Sequence, residues 1–156
     1  PQYFKAVERS RMTEAVTLMD SIVKAQRRRF MQTNRYAEDF RGLDVSPKGA
    51  TGTDYYTKGD PRTGAGGNGF KMTLAIGGGF RFGSMFALRV VDGNELHSSL
   101  QYQYVLERDY QSDNVSCYRI NEAGAELCAD FCGIDTPVDA CCSDGTSGGC
   151  PAPSNN

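Results

Sequence analysis

At 156 residues, with 23% charged and 39% hydrophobic residues, the chain has the size and balance of one ordinary globular domain, large enough to bury a core without a structural metal. No run reaches the ~18 apolar residues that a membrane-spanning helix needs. Net charge is −2, yet residues 1–36 hold eight Lys/Arg against three Asp/Glu and the remainder holds nine against sixteen, so a basic beginning precedes an acidic body. On charge alone that dipole reads first as a solvated helix face, and it also suits the packing of one copy's acidic body on another's basic helix. Nucleic acid is not an expected partner, because the basic residues are not interleaved with exposed aromatics on one surface.

The first element is a long amphipathic helix. With residues 2–33 placed at about 100° per residue, Met12, Ala15, Leu18, Met19, Ile22 and Val23 fill one continuous half of the wheel and polar residues fill the other. The helical segment is set at 1–36, with Pro1 where a first turn tolerates proline and Asn34-Arg35-Tyr36 ending it. Arg11 and Arg29 lie at the edge of the apolar half. Either each lays its stem on apolar surface with its head in water, or each meets a partner's carboxylate.

Residues 37–69 read as a long connection, with a short turn over Glu38–Arg41 and a Gly-, Thr- and Asp-rich surface loop, SPKGATGTDYYTKGDPRTGAGGNG, pinned by Tyr55 and Tyr56. Residues 70–107 read as a sheet. FKMTLAI (70–76) alternates, GGGFRFGS is a turn and connector, MFALRVV (85–91) is apolar, and Asp92-Gly93 is a hairpin signal before the alternating LHSSLQYQYVLERDY. The expected fold is α+β: a long N-terminal helix on an antiparallel sheet of three to four strands. Residues 108–156 complete the same single domain as an acidic, loop-dominated, disulfide-rich region.

All six cysteines fall there: Cys117, Cys128, Cys132, Cys141, Cys142 and Cys150. An even number in Gly- and Asp-rich sequence predicts disulfides and an oxidising compartment. Zinc is disfavoured, since there is no CxxC pair and His97 is the sole histidine. Spacing alone leaves all ~15 connectivities open.

No set of residues points to catalysis. Gly64, Gly66 and Gly69 spell GxGxxG, but a loop precedes them and a β pattern follows, so no helix N-terminus would meet a phosphate. His97 lacks an evident nucleophile or orienting partner. Asp130, Asp135, Asp139 and Asp144 are acidic loop residues without the EF-hand spacing for calcium. Asn114-Val115-Ser116 is a glycosylation-type sequon. No enzyme, metal or cofactor is expected.

The opening stretch, PQYFKAVERSRMTEAVTLMDSIVKAQRRRFMQTNRYAEDF, resembles bacterial type IV pilins and the related type II secretion pseudopilins. The likeness rests on Pro1-Gln2-Tyr3, Ala6-Val7-Glu8, Arg9-Ser10-Arg11, Glu14-Ala15 and Asn34-Arg35-Tyr36-Ala37. It implies a hydrophobic helical half before Pro1, anchored in the inner membrane until assembly. It implies a structural subunit of an extracellular, cell-surface filament used for attachment, motility or DNA uptake. Its partners would be copies of itself and the pilus or secretion machinery. The expected assembly face is Pro1, Tyr3, Phe4, Val7, Arg11, Met12, Ala15, Met19, Ile22 and Arg29, with the Arg27-Arg28-Arg29 run beside it. A secretion pseudopilin and a filament-tip binding module are the alternatives.

Overall fold

The structure, a computed structural model, describes residues 2–59, 67–91, 93 and 102–153. Helix α1 spans Gln2–Thr33, three residues shorter at its end than the segment expected to reach residue 36. Asn34 stops it by turning left-handed (φ 62) while its N–H reaches the Phe30 carbonyl at 2.7 Å. Asn tolerates that conformation better than most residues do.

Beneath α1 lies one antiparallel sheet of six strands in chain order: β1 (Asp54–Tyr56), β2 (Phe70–Gly77), β3 (Phe82–Arg89), β4 (Tyr104–Asp109), β5 (Ser116–Arg119) and β6 (Ala140–Cys142). The three to four strands expected correspond to β2, β3 and β4. Strand β3 starts inside the stretch read as a connector and ends at Arg89, two residues short of the expected limit. The expected strand from Leu96 begins, within the described residues, at Tyr104. Asp92 and His97 lie outside the described residues, as do Gly64 and Gly66. Gly69 is part of the sheet's margin, its carbonyl accepting from the Val90 N–H.

Alternation decides which face meets α1. Phe70, Met72 and Leu74, then Met85 and Ala87, then Tyr104 and Leu106 point inward and are buried. The register aligns Tyr55, Met72, Ala87, Leu106, Cys117 and Cys141 in one row across all six strands. From α1, Met12, Ala15, Met19, Ile22 and Val23 close over that face. Pure apolar transfer of such side chains is worth roughly 1.5–3 kcal/mol each.

The long connection carries more structure than a loop. Asp39 caps a 3₁₀ turn, Phe40–Gly42, by accepting from the Arg41 N–H. Phe40 is fully buried and meets the Tyr55 ring at 6.4 Å. Tyr55 and Tyr56, read as pins, form β1 itself.

The region from residue 108 is likewise not loop-dominated. It holds β5, β6 and a helix, α2 (Glu122–Cys132). Asn121 caps α2 by accepting from the Gly124 N–H at 2.8 Å, and Gly133 ends it at φ 73. Leu127, Cys128 and Cys132 enter the same core as α1. The six cysteines form three disulfides: Cys117–Cys128 ties β5 to α2, Cys132–Cys141 ties α2 to β6, and Cys142–Cys150 ties β6 to the last segment.

Candidate interaction surface at the start of the long helix

The residues expected to form an assembly face separate into two groups. Met12, Ala15, Met19 and Ile22 are packed on the chain's own sheet, at 3% exposure or less. Those four side chains are covered within one chain, whereas Val16, Leu18 and Phe30 of the same half are only partly buried. The six-stranded sheet is broader than the expected one and covers more of that half than three or four strands would. Tyr3 and Phe4 behave differently, at 72% and 49% exposed, with their rings edge to face at 5.6 Å. Pro1 lies outside the described residues.

The arginines also make contacts within the chain. Arg27 donates to the Tyr110 and Ser112 carbonyls and to Asp113. Arg28 grips Asp44 with two 2.7 Å bonds. That grip holds the Asp44 carboxyl below its ordinary range. Arg29 donates to the Gly42 carbonyl at 3.3 Å and lies against the 3₁₀ turn, while its buried Nε has no hydrogen-bond partner among the described residues. Arg11 donates to Glu8 at 3.3 Å.

Glu8 is the feature that sequence reasoning missed. It is 2% exposed and opposes Arg89, itself 1% exposed. Arg89 donates Nε to Oε2 at 2.6 Å and Nη2 to Oε1 at 3.0 Å, a two-pronged pair. The Tyr104 hydroxyl donates to Oε2 at 2.6 Å. The remaining guanidinium hydrogens go to Asn68 Oδ1 at 3.2 Å, to the Gly69 carbonyl at 3.1 Å and to the Val90 carbonyl. Burial, then the adjacent Glu8 charge and the bond donated to it, push the Tyr104 hydroxyl well above its ordinary value, so it stays a donor.

Two sequence signals point to this lock. Glu8 falls on the stripe of Met12, Ala15, Met19 and Ile22, and Arg89 interrupts the apolar MFALRVV run. A buried charge at either place demands a partner. Both Glu8 oxygens, the Tyr104 hydroxyl and every Arg89 guanidinium N–H are engaged, which suits a holding role. It clamps the second turn of α1 to β3 and β4. The turn before it, with Tyr3, Phe4 and Val7, borders a groove of about 320 Å³ that Arg11, Val91 and Tyr102 also line.

The acidic residues and the sequon are placed elsewhere, and Asp130, expected in a loop, lies in α2. Asp130 pairs with Arg9 at 3.0 Å, Asp139 with Arg119 at 2.7 Å, and Asp144 accepts from Thr146. In the sequon, Asn114 accepts from the Ser143 hydroxyl, and Ser116 is buried, accepting from the Cys150 N–H at 2.8 Å.

Comparison with protein-family models, with curated proteins and with solved structures finds no match.

Proposed function

We propose that this chain is the globular part of a type IV pilin-class subunit that assembles with copies of itself into an extracellular filament. The observation that supports the reading best is the contrast along α1. A buried ion lock makes the second turn rigid, while the first turn offers two aromatic rings to solvent. Exposed aromatics on a rigid support are the usual anchors of a protein contact. The resemblance of residues 1–40 supports the same reading. So does a region stapled by disulfides, suited to an oxidising medium.

The coding sequence immediately upstream of Pro1 is the first test. A short basic leader, a glycine and about twenty apolar residues with an early glutamate agree with a membrane-anchored subunit. An ordinary secretory signal ending at Pro1 overturns the reading. Where the upstream segment agrees, the double variant Tyr3→Ala, Phe4→Ala is expected to keep the thermal midpoint of the parent within about 2 °C, since both rings are exposed. Filaments counted by electron microscopy are expected to fall sharply in that variant, and undiminished filaments contradict the role given to these rings.

A further inference from the structure

At the opposite end of α1 the structure brings together arginines and aromatic rings that are far apart in sequence. Arg35 lies over the Phe80 ring at 4.2 Å and Arg81 over the Phe30 ring at 6.0 Å. Phe30 packs on Tyr36 at 4.7 Å, and the Tyr36 N–H donates to the Phe80 carbonyl at 2.7 Å, so Arg35, Phe80, Arg81 and Phe30 form one continuous patch over the buried Tyr36. Met31, beside Phe30 in α1, is 85% exposed. Phe80 holds a left-handed backbone (φ 68), an unusual state for a bulky residue and one that marks positions kept for a purpose.

Among the described residues, neither Arg35 nor Arg81 has a carboxylate within ion-pair distance. A guanidinium stacked on a ring keeps its in-plane N–H fan open, which is the geometry that grips carboxylates. Carboxylates of that kind exist on this chain. Glu122 and Glu126 sit one helical turn apart on the exposed side of α2, without an ion-pair partner among the described residues, and Asp135 follows. Residues 109–156 hold eight Asp/Glu and one Arg. The two faces are at opposite ends: α2 meets α1 at Arg9, through Asp130, whereas the cationic patch begins at Phe30, about 30 Å further along the helix.

We infer that the Arg35–Arg81 patch is a docking face for the Glu122–Glu126 side of α2 on a second copy of this chain. A polyanion suits it less, because the whole chain carries −2 and would repel one. Since the two faces differ, the contact is heterologous and passes from copy to copy as an open chain. The inference rests on the filament reading and names one of its contacts.

The test uses the full chain at low ionic strength, with a photo-reactive phenylalanine analogue at position 31. Intermolecular cross-links are expected on the peptide that contains Glu122 and Glu126. Self-association followed by sedimentation is expected to weaken by ~10-fold in Arg35→Glu, Arg81→Glu and likewise in Glu122→Arg, Glu126→Arg, with thermal midpoints unchanged. Mixing the two reversed variants is expected to restore association. Cross-links that map elsewhere, or no recovery on mixing, overturn the contact. So does tighter binding of a single-stranded oligothymidine than of a second copy, if the Arg35→Glu, Arg81→Glu variant loses it. Filaments imaged from cells carrying Arg35→Glu, Arg81→Glu separate the two levels: normal filaments remove this contact and leave the filament reading standing. An absence of filaments from the parent protein removes both.

Discussion

Two helices rest on one sheet, and they are held by different means. Helix α1 is 32 residues long and makes its own attachment: an apolar stripe closed over the sheet, plus one buried ion lock at Glu8. Helix α2 has 11 residues, below the length at which a helix is marginally stable alone, and two disulfides tie it to β5 and β6. Long elements with a continuous apolar face need no covalent help, whereas short ones next to Gly- and Asp-rich turns bury too little to stay in place.

The largest way to break this symmetry of roles is at Arg89. Replacing it alone with Met leaves the buried Glu8 carboxylate with only the half-exposed Arg11 at 3.3 Å as counter-ion, and a loss of about 3–5 kcal/mol in denaturant unfolding is expected. Glu8→Leu with Arg89→Met is expected to recover most of that loss, because removing both charges also removes their desolvation. A double variant no better than the single would mean that the cluster's hydrogen bonds, not its charges, hold α1.

On the α2 side, Cys117→Ala with Cys128→Ala opens a loop with a sequence separation of 11 and is expected to cost about 2–4 kcal/mol. Hydrogen exchange is expected to rise in α2 and β5 while α1 stays protected. Equal loss of protection in both helices would show that the two attachments are one cooperative unit.

Gly124 sharpens the same comparison. A Cβ there would sit 2.0 Å from the Gln103 carbonyl oxygen, backbone that cannot step aside. Gly124→Ala is therefore expected to destabilise by about 1–3 kcal/mol, read from the thermal midpoint, although alanine is the better helix former. A stabilised variant would mean that α2 is free to shift on the sheet, the opposite of a stapled helix.

The smallest effect expected is alkaline. Burial is the first cause that raises both Tyr104, under α1, and Tyr110 at the end of β4. A folded-state value above the unfolded one gives stability that is whole below about pH 10 and declines above it, as the unfolded chain sheds those protons first. Thermal midpoints measured from pH 8 upward should hold and then fall near pH 10, with Tyr104→Phe showing a shallower fall. A midpoint insensitive to pH past that point would contradict the raised values.

Helix α1 and strands β2 to β4 were legible in the residues because their signals are local. Periodicity over 32 residues, or alternation over 6 to 8, is a property of neighbours in sequence. Strands β1, β5 and β6 have three or four residues each, too few for alternation to stand out. Helix α2 did leave a signal, Asn121 before and Gly133 after, but cysteines and glycine within NEAGAELCADFCG obscured it.

By itself the sequence determined the long amphipathic helix, the α+β class and the presence of disulfides, all consequences of which residue types lie near one another along the chain. Only the tertiary structure decided which cysteines pair, that Glu8 meets Arg89 across 81 positions, and that Met12, Ala15, Met19 and Ile22 face the sheet rather than a neighbour. Those outcomes depend on register. Once Met72, Ala87, Leu106, Cys117 and Cys141 share a row, the reach of every side chain above that row follows, and no local pattern encodes it.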